Sequence, residues 1–438
     1  MSARRLVSLR EEPQPAVRET ATPRLRRLAR ALLIASMPVL AGLWAAAREF
    51  GGTAVPWRPY LVDLDVYRRA GQLLLDGGDI YNLPGQLPFL YPPFAGLLAV
   101  PLALLPQALV EVGWTIAGVL ALLAVLHRFG LQGWVLSVVT TATVLSVEPV
   151  VQTLAFGQLG IFLVALVVLD LAPGPRLRSG RRILPEGVLT ALATAIKLTP
   201  GIFLLYLLAT RRIRAALVMV ASGLAVTLAS AAVAPSASRV FWGRLAVGDT
   251  GLGHSLIYYT NQSVMADVVR IFGLGGSVSA AGLAAAALVA AVGVWAAALW
   301  YRLGQQRLAV TLCGVAGLLA SPVSWVHHFV WVVPLAFCLL EGSVRTIGVC
   351  RVDGEWAKPG EQGEAGEPPV LPRWFRVLGW LFVGWVAVSP LSGLPNGADR
   401  ELGWTWQQNL LASITALLGV ALMAAAVVVA QQYRHTRS

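Results

Sequence analysis

Apolar residues along this chain fall into long unbroken runs rather than onto one face of a repeating pattern. The runs cover residues 32–46, 108–126, 131–147, 160–171, 215–234, 279–300, 308–320, 329–340, 374–388 and 409–430. A helix that is apolar all round has no face for water. Runs near 18 residues match the thickness of a bilayer core, and lipid gives backbone groups no partners, so the runs predict helices. The expected fold class is all-α, a polytopic membrane protein with roughly 11–13 transmembrane helices.

Two segments depart from this pattern. Residues 91–106, YPPFAGLLAVPLALLP, are apolar but short and interrupted by Pro92, Pro93, Pro101 and Pro106. They predict a re-entrant or interfacial helix after the first outer loop, because a full crossing would put later arginine groups on the wrong side. Residues 183–210 are flanked by arginines at both ends and broken at Lys197-Leu198-Thr199-Pro200. They predict two short legs that leave and return through one face, with a lysine at the turn.

Between the runs, basic residues cluster at the ends: Arg24, Arg26, Arg27 and Arg30; Arg176, Arg178, Arg181 and Arg182; Arg211, Arg212 and Arg214; Arg434 and Arg437. That is the positive-inside pattern, and it accounts for the net charge of +12 without nucleic acid. The expected organisation is a basic cytoplasmic tail (1–30), a membrane domain (31–340) whose first extracytoplasmic loop is 48–106, a flexible cytoplasmic loop (341–373), C-terminal transmembrane helices (374–430) and a cytoplasmic tail (431–438). The run at 32–46 reads as an uncleaved anchor rather than a signal peptide, given the long basic leader. The protein is expected in the plasma membrane. Charged residues make up only 13% of the chain, against about a quarter in soluble domains, which leaves little room for a soluble domain. Cys313, Cys338 and Cys350 have neither the number nor the spacing of a disulfide framework or metal site.

With that topology, the polar residues that structure alone does not demand collect on the outer side. Asp63, Asp65 and Tyr67 stand in VDLDVYRRAG, near Asp76 and Asp79; Tyr91 precedes the proline-rich helix, and Gln158 stands in AFGQLG. His254, Asn261, Gln262, Ser263 and Arg270 follow residue 234, and Trp325, His327 and His328 follow Pro322. Asp63 and Asp65 would share a face if this piece is extended. One carboxylate with a raised pKa suits deprotonation of an acceptor hydroxyl. The alternative is a solvated pair with Arg58, Arg68 or Arg69. Lys197 either neutralises a phosphate or snorkels to an interface, and Arg270 is either a phosphate fork or an interfacial anchor. Adjacent histidines on a helix diverge by about 100°, which argues against a shared metal ion. Asn261-Gln262-Ser263 is a formal glycosylation sequon, but amides that hydrogen-bond a sugar fit it better.

In order, VDLDVYRRAG, FLYPPF, FGQLG, AIKLTPG, NQSVMADVVR and SPVSWVHHFVW resemble the polyprenyl-phosphate-mannose-dependent α-(1→2)-mannosyltransferases, glycosyltransferase family 87, which have the GT-C membrane fold. The resemblance implies inverting, metal-independent transfer of mannose from polyprenyl phosphomannose to a glycolipid, lipoglycan or other envelope acceptor at an extracytoplasmic site, without a cofactor. It implies Asp63 as general base, with Asp65 as the alternative. Tyr91, Gln158, Lys197, Arg270 and His327 or His328 would form the donor and phosphate site, and Asn261, Gln262, Tyr67 and Trp325 the acceptor or sugar site. Two other readings stay open: arabinofuranose transfer from a polyprenyl phosphate, and a lipid or solute transporter using Lys197 at the midplane.

Overall fold

The computed structural model describes residues 23–83, 85, 87–174, 182–249, 251, 256–344 and 370–435. Arg176, Arg178, Arg181, His254, Cys350 and most of the 1–30 tail and the 341–373 loop lie outside the described residues.

α1 (Pro23–Arg48) leads through a loop into the amphipathic α2 (Val62–Leu75) and the short α3 (Pro93–Leu104). α4 (Gln107–Arg128) follows. The apolar stretch after residue 131 then divides into α5 (Gly133–Ser146) and α6 (Glu148–Phe156), bent by 78° at Val147. α7 (Gly160–Leu171), α8 (Val188–Ile196), α9 (Ile202–Ala209) and α10 (Ile213–Val233) form the middle of the chain. α11 (Pro235–Ala246) and α12 (Val264–Phe272) precede α13 (Gly276–Arg302) and α14 (Gln306–Ala320). A 3₁₀ segment at Val326–Trp331 runs into α15 (Val332–Val344), and α16 (Arg373–Val388) and α17 (Trp406–His435) close the bundle.

Among the described residues, α1, α4, α10, α13 and α17 are long and apolar enough to cross a bilayer alone, and the bent pair α5–α6 would make a sixth span. Hydropathy counted the shorter runs at 160–171, 308–320 and 329–340 as spans, and read 91–106 as re-entrant or interfacial. At 1.5 Å per residue, a 12-residue helix such as α3 or α7 reaches about 18 Å, short of a core about 30 Å thick. Such half-length helices are stable in a membrane when their ends are buried in protein. Lipid-facing helices carry the converse signature: Leu217, Leu224, Leu228 and Val233 of α10 are well exposed although apolar. The core lies between α7, α13, α14 and α17, where small residues allow close approach. A Cβ added at Gly314 would stand 2.3 Å from the Trp331 ring.

The segment from α8 to α9 is a hairpin. Its base is closed by an ion pair between Glu186, before α8, and Arg212, after α9. Asp170, at the end of α7, caps α8 from outside its own helix, accepting from Gly187 N at 3.0 Å, Thr190 N at 3.0 Å and Thr190 Oγ1 at 2.7 Å. Helix N-termini present unpaired N–H groups and favour negative charge, so this buried carboxylate fixes where the hairpin starts. Arg128, Arg182, Arg302 and Arg307 gather at the same end, on the carbonyls of Ala172, Asp170, Ala209 and Pro173. The hairpin therefore carries Lys197 away from this arginine-rich end and towards the opposite one.

Candidate active site

At that opposite end the chain turns sharply at Gly157, whose φ of +69° suits glycine. A Cβ there would meet the Leu64 Cβ at 2.6 Å. This close approach docks the start of α2 on the α6–α7 turn, where Leu61 N donates to Ala155 O at 3.0 Å. Because VDLDV is helical and not extended, Asp63 and Asp65 point about 200° apart rather than sharing a face. Asp65 turns outward to Arg69 at 2.9 Å, with its side chain 48% exposed. Asp63 turns inward.

Gln158 organises what Asp63 meets. Its Oε1 accepts from Tyr67 Oη at 3.0 Å, Tyr91 Oη at 3.3 Å and Leu159 N at 3.3 Å. Those three donors fix the orientation of the amide, and Gln158 donates to the Asp63 carboxylate. Burial raises the Asp63 pKa to about 6, while the Gln158 hydrogen bond and the Lys197 charge hold it from going higher. Burial also lifts the Tyr67 and Tyr91 hydroxyls above their usual range, so both stay protonated donors. The two rings meet edge to face, with centroids 5.3 Å apart.

Lys197 enters from the hairpin tip. Its backbone is extended, at φ −148° and ψ 131°, which breaks the helix ahead of Thr199-Pro200. Nζ lies 2.7 Å from His328 Nε2 and 5.3 Å from the centre of the Tyr91 ring. His328 Nδ1 accepts from Trp325 N at 3.2 Å, which leaves the neutral ring's proton on Nε2, the nitrogen beside Lys197. His327 stands edge-on to His328, and its main-chain carbonyl accepts from Thr153 Oγ1 at 2.8 Å. Its own Nε2 is buried without a protein hydrogen bond. Asp63, Tyr67, Tyr91, Gln158, Lys197, His327 and His328, distant in sequence, thus form one contiguous cluster.

Asn261, Gln262 and Arg270 form a neighbouring knot. The Asn261 amide donates to Leu256 O and Pro322 O, and its Oδ1 accepts from Ser324 N at 2.9 Å. Gln262 donates to Tyr259 O. The Arg270 guanidinium, 2% exposed, is occupied by Asn261 O, Tyr258 O and the Asp267 carboxylate. This knot pairs the NQS turn with the SPVSW segment, as an isolated bridge between Asn261 and Trp325. It braces the loop that carries the histidines, and the structure does not bring Arg270 to Asp63. Three buried carboxylates escaped the sequence reading: Asp170, Asp267 and Glu401. Asp267 stood in a quoted motif, three residues before Arg270, and that helical ion-pair spacing was the available signal.

Beside the hairpin tip, a groove of about 250 Å³ runs between α3, α8, α9 and α10, lined by Pro93, Phe94, Leu198, Leu204, Leu224 and Trp242. A half-buried carboxylate with an elevated pKa, a half-buried ammonium close enough to influence it and an adjoining apolar groove are chemically suited to transferring a group from a lipid-borne anion. The fold and site together define a polytopic membrane transferase. The profile of glycosyltransferase family 87 matches residues 89–322, and the chain belongs to that family. A polyprenol-phosphate-mannose-dependent α-(1-2)-phosphatidylinositol mannoside mannosyltransferase of Mycobacterium tuberculosis is 32% identical over 70% of this chain and 76% of its own length. The Mycolicibacterium smegmatis protein of that description is 33% identical over 68% and 72%. A phosphatidylinositol pentamannoside mannosyltransferase of M. smegmatis is 31% identical over 86% and 83%. No solved structure matches the chain.

Proposed function

We propose that this glycosyltransferase moves mannose from polyprenyl phosphomannose to a mannosylated glycolipid, forming an α-(1→2) linkage with inversion, at the extracytoplasmic face of the plasma membrane. The observation that carries the reading is the half-buried Asp63 facing Lys197 across Gln158, Tyr67 and Tyr91. Asp63 takes the proton of the acceptor hydroxyl as its oxygen bonds to mannose C1. The C1–O bond to the phosphate breaks, and polyprenyl phosphate leaves with the electron pair. Lys197, with His328 in contact, offsets the charge that builds on the leaving phosphate. Tyr67 and Tyr91 hold the Gln158 amide, which keeps the carboxylate in place. The apolar groove beside Leu198 suits the isoprenoid chain. Arg128, Arg182, Arg302 and Arg307 gathered at the far end support an outward-facing Asp63 by the positive-inside rule.

Purified protein incubated with radiolabelled polyprenyl phosphomannose and phosphatidylinositol mannosides should release an α-(1→2)-linked product. Transfer only from a polyprenyl phosphoarabinose, or from no polyprenyl-linked sugar, overturns the reading.

A further inference from the structure

α6 is a short helix set at 78° to α5, so it lies across the end of the bundle instead of along it. Six of its residues are buried, and the three that are not, Glu148, Gln152 and Phe156, are spaced four apart and form one accessible stripe. At its inner end Phe156 is stacked on Phe50 with centroids 4.1 Å apart and flanked by Tyr60. Both flanking rings are open to solvent, Phe50 at 41% and Tyr60 at 53%. His327 stands edge-on to Phe156 at 5.5 Å, with the buried, unpartnered Nε2 noted above. Two residues past Phe156, Gln158 holds Asp63. At the outer end Gln152 donates to Glu148 at 2.7 Å, and the Glu148 charge acts on the Tyr259 hydroxyl. Glu49 stands near enough to act on Glu148 in turn.

We propose that this open face of α6 is a glycan cleft. It would seat the acceptor sugars that lie behind the one being mannosylated, with Glu148 and Gln152 as specificity-determining residues. The proposal rests on the acceptor reading above. Eight helical rises from Glu148 to Phe156 give the stripe a length of about 12 Å, enough for more than one pyranose ring. Exposed aromatic rings cover the apolar face of a pyranose. A carboxylate and an amide side by side accept from and donate to neighbouring hydroxyls, as polar groups in sugar sites must to set orientation. The Glu148 carboxylate on the stripe, with Glu49 near it, suits a glycan's hydroxyls rather than an anionic group. Glu148 and Gln152 act through binding alone, since the reacting atoms lie at Asp63.

The test compares an alkyl monomannoside with an alkyl mannotrioside as acceptors for the full-length protein in detergent, and measures mannotrioside binding by calorimetry without donor. Wild type should prefer the trisaccharide in kcat/KM, and Glu148→Ala and Gln152→Ala should each cut that preference about tenfold, the loss of one charge-assisted hydrogen bond. Glu148→Gln should retain part of it. Calorimetric affinity should fall in parallel while the donor KM stays with wild type. A preference that survives both alanine variants overturns the cleft, as does an equal loss on both acceptors, which marks a structural role. If wild type binds the mannotrioside through Glu148 yet transfers no mannose, the cleft stands and the mannosyltransferase reading falls.

Discussion

Two inward-turned aspartates, Asp170 buried and Asp63 half-buried, sit at opposite ends of the bundle, and their surroundings suit them to different work. Asp170 accepts from two backbone N–H groups and a threonine hydroxyl at an α-helix start, and Arg182 approaches at 3.4 Å. Asp63 has an amide hydrogen bond and the charge of a lysine, which leave its pKa raised to about 6. Asp170 is fully buried and Asp63 half-buried, and of the two Asp63 is held short of full compensation. A fully bonded carboxylate stabilises the fold but makes a poor base. A carboxylate kept near neutrality in its pKa can take a proton and still be ionised at working pH.

The widest separation should come from Asp63→Asn, which is expected to lower kcat about 10³-fold. Donor binding, read by calorimetry, should survive; near-normal turnover would remove Asp63 from the chemistry. At the other end, Asp170→Ala should leave the N–H groups of Gly187 and Thr190 unpaired and destabilise the protein by about 3 kcal/mol. The sign is a lower melting temperature in detergent, with turnover per folded molecule retained. Lys197→Met should reduce kcat/KM for the donor about 10²-fold, the scale for losing one electrostatic contact to a developing charge. A loss confined to the acceptor KM would place Lys197 elsewhere.

The pH profile sharpens the contrast further. kcat/KM should fall about tenfold per pH unit below about 6, as Asp63 becomes protonated. Stability runs the other way. The folded pKa of about 6 lies above the ordinary aspartate value of 3.8, so the folded state holds this proton more tightly and the cost of the enclosed charge builds as the pH rises from about 4 to about 6. Asp63→Asn should therefore melt above wild type at pH 7.5, and that gain should shrink between pH 6 and pH 4. The smallest effect belongs to Asp65→Asn, under about 0.5 kcal/mol and little change in rate, because its pair with Arg69 is exposed.

Membrane residence and the all-α class were legible from apolar runs, because lipid admits no other solution for the backbone. So was the broken turn at Lys197, since a proline and a charge within an apolar run are visible in any sequence. The partition of carboxylates was not. Asp63 and Asp65 read alike until the VDLDV segment proved helical and rotated one to Gln158 and the other to Arg69. Asn261 and Arg270 looked like ligand-binding groups, yet the fold engages them with carbonyls and Asp267, contacts between segments about 60 residues apart and within one helix turn. Glu148 and Gln152 drew no notice because Pro149 signals only that the helix breaks near Val147, whereas which face the break opens depends on how α6 packs against α1 and the histidine segment. The sequence by itself determined the solvent this protein folds in and the residue types available for transfer chemistry. Tertiary structure alone decided which of them meet, because side-chain direction and compensation of buried charge depend on neighbours far along the chain.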